Sequence, residues 1–132
     1  AAAHVRRHTF TVGRAVEFDP EAPDVSALEY LLGALGADVL AGLRAAAKRR
    51  RLRVDAAEAA VEGRLDNPLA HLGVVGEHGH AGLARADVRV YVSTPDPEPA
   101  MRAAWAEALE RSPLVRTLRA SVALALELHV VD

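Results

Sequence analysis

The sequence predicts an α+β fold. Apolar residues alternate with polar ones in Val88-Arg89-Val90-Tyr91-Val92, and Val122, Leu124, Leu126, Leu128 and Val130 repeat the two-residue period of half-buried strands. Between Tyr30 and Leu43 the only polar side chain is Asp38, so that stretch is a helix apolar around its whole circumference, the character of a buried helix. Strands and helices come in groups instead of strict alternation, which argues against a doubly wound parallel sheet.

Each element has its own signal. His8-Thr9-Phe10-Thr11-Val12 and Arg14-Ala15-Val16-Glu17-Phe18 alternate on either side of Gly13 and predict a β-hairpin or bent strand. Asp19 to Asp24 carries two prolines and three acids and reads as a loop. Ser26 then stands at an N-cap position with Glu29 three residues on, a capping box that starts a helix at about Ala27. That helix runs to about Arg51. Gly33, Ala37 and Ala41 recur at four-residue spacing along it and admit a second helix at close range. Arg44, Lys48, Arg49, Arg50 and Arg51 crowd its end, where positive charge complements the helix dipole and faces water.

Val54 to Leu65 and Leu83 to Val92 predict two long strands joined by a Gly- and His-containing loop from Asp66 to Gly82. Thr94 to Pro99 signals a turn and a helix start. Ala100 to Arg111 follows, with Met101, Ala104, Trp105, Ala108 and Leu109 on one face. Ser112-Pro113 breaks this helix, Leu114 to Arg119 predicts a short further one, and Val122 to Val130 is the last strand. The expected order is β-β-α-β-β-α-α-β.

Composition limits the function classes. At 132 residues and 51% hydrophobic content, residues 1–132 are expected to form a single domain. Sixteen Lys and Arg against eighteen Asp and Glu give a net charge of −2, so no overall field draws the chain to nucleic acid or to an anionic membrane. The basic helix end has no interleaved aromatics, and neither a nucleic-acid nor a membrane partner is expected. With no cysteine the chain has no disulfide, no thiolate nucleophile and no soft metal ligand, and a cytoplasmic location is expected. The segment AAAHVRRHTF lacks the apolar centre of a secretory signal, and the fourteen apolar-helix residues fall short of the roughly 20 that span a bilayer. A soluble protein is expected.

Few residues carry chemistry. Asp38 is the most informative, because a carboxylate on an apolar helix must be hydrogen-bonded, paired with a cation or kept protonated. His71, His78 and His80 cluster beside Glu77, and imidazoles two apart on a strand share a face. Their spacing fits no zinc pattern, however, and Gly76, Gly79 and Gly82 loosen the segment, so a solvated loop is expected and no metal. Gly33 and Gly36 lie inside a helix and make no phosphate-binding loop, so no cofactor is expected. Met101 and Trp105 read as core or dimer contacts.

The stretch Ser26-Ala27-Leu28-Glu29-Tyr30-Leu31-Leu32-Gly33-Ala34-Leu35-Gly36-Ala37-Asp38 resembles the helix signature of the OsmC/Ohr family, S-P-x-E-x-L-L-x-A-L-x-A-C, with Asp38 at the place of the reactive cysteine. Glu110 to Leu118 resembles the family's second signature, C-P-V-x-x-x-L, with Ser112 at the place of its cysteine. The resemblance implies an intertwined homodimer whose two central helices pack between sheets, with paired sites at the subunit interface. In the family's peroxidases the first cysteine attacks a hydroperoxide, the second resolves the sulfenic acid, and an arginine and a glutamate orient the thiolate. Glu29, nine positions before Asp38 as in OsmC-like members, and Arg14 on the N-terminal hairpin are the matching candidates.

On this resemblance Ser112 should approach Asp38, and a hydroxyl-to-carboxylate hydrogen bond replaces the pair of thiols. The expected protein is OsmC-like without thiol peroxidase activity. Its former pocket at Asp38 and Ser112 then serves structure or binds a small, apolar ligand. Three alternatives stay open: a non-redox hydrolase or isomerase with Asp38 as acid or base, a pure interaction protein acting through its dimer surface or the basic helix end, and the family's role in the response to organic hydroperoxides, exercised through a partner.

Overall fold

Five strands and four helices make up the fold in a computed structural model that describes residues 1–131. A hairpin of β1 (Ala2–Val5) and β2 (His8–Thr11) precedes the long α1 (Ala27–Arg49). Next come β3 (Ala56–Leu65), a one-turn α2 (Pro68–His71), β4 (Leu83–Ser93), α3 (Glu98–Arg111), α4 (Pro113–Leu118) and β5 (Ala123–Val131). The order of the other eight elements is the expected one; α2 is an addition inside the predicted 66–82 loop.

The capping box starts α1. Ser26 Oγ accepts the Glu29 backbone N–H at 3.2 Å, and Glu29 Oε1 accepts the Ser26 N–H at 2.9 Å, so two of the helix's orphan donors are satisfied. Leu35, Val39, Leu43 and Ala46 follow at helical spacing and are fully buried under the sheet. The helix ends with Arg50 as its C-cap and Arg51 in the left-handed region at φ 58°.

β3, β4 and β5 form one sheet, with β4 central, antiparallel to β3 and parallel to β5. All helical packing falls on one face. Ala86, Val88, Val90 and Val92 of β4 are fully buried there with Met101 of α3 and Val115 of α4. Charged side chains cover the other face, where Arg85 reaches Asp87 at 2.9 Å and Arg89 reaches Glu62 at 3.6 Å. Met101 and Trp105 are therefore core residues.

Small residues set how close α1 comes. A Cβ on Gly36 would sit 2.9 Å from Val61 Cγ2 of β3, and one on Gly42 would sit 3.4 Å from Ala108 Cβ of α3. The helix that packs most against α1 within the chain is thus α3, through Gly42 and Ala108. The Gly33, Ala37 and Ala41 stripe is left exposed.

Three expectations need correction. First, Arg14 to Phe18 forms no strand: the hairpin turns at Arg6 and Arg7, with Arg6 left-handed at φ 54°, and pairs Ala2 with Thr11. The carbonyls of Arg14 and Ala15 instead accept the Ala27 and Leu28 N–H groups at 2.9 and 3.0 Å, so this segment serves the start of α1 and not a ladder. Second, α1 is not buried all round, because Gly33, Ala34, Ala37, Ala41 and Ala45 are exposed. Third, its 23 residues are long and apolar enough to cross a membrane by length and composition, contrary to the shorter apolar run read from sequence. Leu35, Val39 and Leu43 nonetheless pack against the sheet, which is how the core helix of a globular domain uses such a face.

Candidate functional site

Ser112 occupies the joint between α3 and α4 and makes two hydrogen bonds there. Its Oγ accepts the Val115 N–H at 3.0 Å, which caps α4, and donates its proton to Asp38 Oδ2 on α1. Pro113 forces the break, since it cannot continue α3 and is well placed in the first turn of α4. Ser112 is only 4% exposed and Asp38 is half-buried, so this polar pair ties three helices together beneath the surface.

A cavity of about 280 Å³ opens over the pair. Ala41, Gly42 and Ala45 of α1, Ala108 of α3 and Pro113 wall it with small apolar surface, and Arg49 and Arg111 complete the lining. Counting from Asp38, positions 41, 42, 45 and 49 fall on one helical face. The Arg49 and Arg111 side chains are 46% and 67% exposed, whereas Ser112 is buried, so the arginines form the outer rim.

Glu107 of α3 holds that rim together. Its carboxylate lies 3.4 Å from Arg49 Nε and 3.5 Å from Arg111 Nε, and it accepts a hydrogen bond from Arg50 Nε at 3.2 Å. The Arg50 hydrogen bond and the three nearby positive charges hold the Glu107 carboxyl below its usual value.

The other two sequence candidates lie elsewhere. Glu29 is bound into the capping box, where the Ser26 backbone N–H lowers its pKa. It lines a separate groove of about 520 Å³ between α1 and β3 with Leu32, Gly36 and Val61. Arg14 is exposed beside the hairpin, in a depression shared with Ala1 and Glu17. Within one chain neither reaches the Asp38 cavity.

A match to the family model for OsmC-like protein covers residues 19–127, most of the chain. The chain belongs to the OsmC-like family. Solved structures agree on the fold. An OsmC-like protein from Mycoplasma pneumoniae superposes with a TM-score of 0.81 at 19% identity, over 99% of this chain and 88% of that one. An organic hydroperoxide resistance protein OsmC from Legionella pneumophila gives 0.65 at 14% identity, over 83% and 72%. The organic hydroperoxide resistance protein OhrB of Bacillus subtilis gives 0.55 at 19%, over 81% and 72%. No curated protein matches the sequence.

This OsmC-like chain has no cysteine, and the pair formed by Asp38 and Ser112 is a carboxylate and a hydroxyl. Such a pair can hold, orient or exchange a proton; it has no sulfur to oxidise. No imidazole lines the cavity to activate the serine as a nucleophile. The histidine loop is organised otherwise. Asp66 Oδ2 accepts the His80 backbone N–H at 3.0 Å, and Asn67 Nδ2 donates to the His78 carbonyl at 2.7 Å. Among the described residues no three His, Asp or Glu side chains converge as a metal site would require.

Sequence reasoning missed Arg49, Arg111 and Glu107. The helical spacing of Arg49 from Asp38 and the adjacency of Arg111 to Ser112 were the available signals. Glu107 comes to Arg50 across 57 residues of chain, which no local pattern reveals.

Proposed function

We propose that residues 1–132 are a single OsmC-like domain, active as a homodimer, that lacks thiol peroxidase chemistry and uses the cavity at Asp38 and Ser112 to bind a small molecule. One observation carries this reading: a hydroxyl-to-carboxylate hydrogen bond lies at the foot of an open cavity, joining the two positions where family peroxidases carry cysteines. The two-cysteine peroxide reduction that the family resemblance implies needs a thiolate to attack the O–O bond and a second thiol to resolve the sulfenic acid. The only sulfur in the chain is the thioether of the buried Met101. The hydroperoxide resistance of the Legionella and Bacillus proteins therefore does not carry over as an activity of this chain alone.

The exposed Gly33, Ala37 and Ala41 stripe supports the homodimer, since small residues let helices approach closely. So does the hairpin, whose strand residues other than Ala3 are exposed and which pairs with no other strand among the described residues. A two-stranded ribbon is marginal alone in water.

An amide NMR titration with a small-molecule fragment set tests the binding role. Shifts should concentrate at Asp38, Ala41, Ala108 and Ser112, and hits confined to other surfaces contradict it. Because Asp38 is half-buried and lines the cavity, acid–base catalysis there is the second reading. A substrate-panel screen in which Asp38→Asn abolishes a turnover seen with the parent chain decides for that alternative.

A further inference from the structure

We propose that the cavity over Asp38 and Ser112 selects a small organic anion, a carboxylate with a short hydrocarbon tail, whose charged head is held by Arg49 and Arg111. The inference rests on the reading of this cavity as a binding site and adds the class of ligand.

Charge at the rim carries the argument. Three guanidinium groups, those of Arg49, Arg50 and Arg111, converge on the single carboxylate of Glu107. Among the described residues no other carboxylate lies within 4.0 Å of any of the three, and the neighbouring Glu110 is engaged by Arg116 at 3.4 Å. Even with Asp38 counted, the group of three cations and two anions keeps net positive charge. Each of the three arginines has a contact with Glu107 through Nε, and among the described residues no Nη of Arg49 or Arg111 makes a hydrogen bond, so those donors are left for a ligand, and a planar fork of this kind suits a carboxylate.

Glu107 also orients the rim. A carboxylate that bridges Arg49 on α1 and Arg111 on α3 holds both side chains over the cavity they line, so less rotamer freedom is lost when an anion binds.

Size and lining supply the rest. A volume of about 280 Å³ is at the low end for ligand pockets and admits only a short tail. Ala41, Gly42, Ala45 and Ala108 give that tail an apolar wall without a polar partner to satisfy. An uncharged molecule of the same shape gains the wall and loses the rim. An alkylammonium of the same length meets like charge there.

Hexanoate, hexan-1-ol and hexylamine are matched probes for an amide NMR titration of the intact chain. Hexanoate should shift Ala41, Ala45 and Ala108 and bind about tenfold or more tightly than hexan-1-ol, with hexylamine weakest. The Arg49→Gln/Arg111→Gln double variant should lose that margin and keep its affinity for hexan-1-ol, while Arg111→Lys should retain part of it. The far-ultraviolet spectrum and melting temperature of each variant establish that it folds. Equal binding of hexanoate and hexan-1-ol at these residues overturns the anion preference and leaves the binding-site reading standing. No shift at these residues with any of the three probes overturns both.

Discussion

Ser112 has one proton and gives it to Asp38, while its oxygen takes the Val115 N–H, so its removal costs a helix cap and a buried partner together. Ser112→Ala should lower unfolding free energy by about 1–3 kcal/mol, measured by urea denaturation. Asp38→Ala should cost less, about 1 kcal/mol or below, because Ser112 keeps its bond to Val115 and alanine is the better helix former. The reverse order would mean that Asp38 is held by something other than this hydrogen bond. Glu107 makes a prediction about pH. Its folded pKa lies below the ordinary 4.5, so the folded state binds this proton less readily than the unfolded chain does. The stability it contributes is present above the ordinary value and is lost as pH falls through the lowered one. The difference between the parent chain and Glu107→Gln should be flat above about pH 5.5 and vanish in acid. A difference unchanged down to acid pH would show that the three arginines do not act on this carboxylate.

At the scale of elements, two glycines one turn apart on α1 separate the covered face from the open one. Gly36→Ala places a Cβ 2.9 Å from the stiff Val61 side chain, and an overpacking cost of about 1–3 kcal/mol outweighs the roughly 1 kcal/mol that alanine gains in helix propensity. Gly33→Ala meets nothing within 4 Å in the chain and should be neutral or stabilising by about 1 kcal/mol wherever the chain is dissociated. Urea denaturation reads both; at concentrations where the proposed dimer forms, Gly33→Ala should instead lose stability by a margin that shrinks on dilution, and the absence of such a loss would count against a second chain on this face. The same contrast explains what was legible in the sequence. The capping box at Ser26 and Glu29, the alternation in β4 and β5, and the length of α1 are local signals, and the structure keeps all of them. Arg14 to Phe18 alternates as a strand does, yet the carbonyls of Arg14 and Ala15 satisfy the first turn of α1 instead. The two replaced cysteine positions were legible through their motifs. The rim was not, because Arg49 and Arg50 read alone are a solvated helix end, and only the packing of α3 brings Glu107 to them.

For the whole molecule, the helices cover one face of a three-stranded sheet and leave an exposed apolar stripe and a hairpin that is tied to α1 through Phe10, Thr11 and Tyr30 but pairs with no other strand among the described residues. The proposed homodimer would account for both. Sedimentation velocity should find two chains of 14.0 kDa together, and Ala37→Arg, which sets a charge in the stripe, should shift the population to monomer. A monomeric parent chain would remove the dimer from this account and leave the cavity, which one chain forms alone. OsmC-like architecture is kept here without the sulfur that the peroxidases of the family use, and function has to be argued from the replaced site instead of the fold. The most direct test of that claim is consumption of an organic hydroperoxide by the purified chain with a dithiol reductant. The rate should equal that of a protein-free control, and sustained turnover above it would contradict the reading of Asp38 and Ser112 as a binding site emptied of redox chemistry.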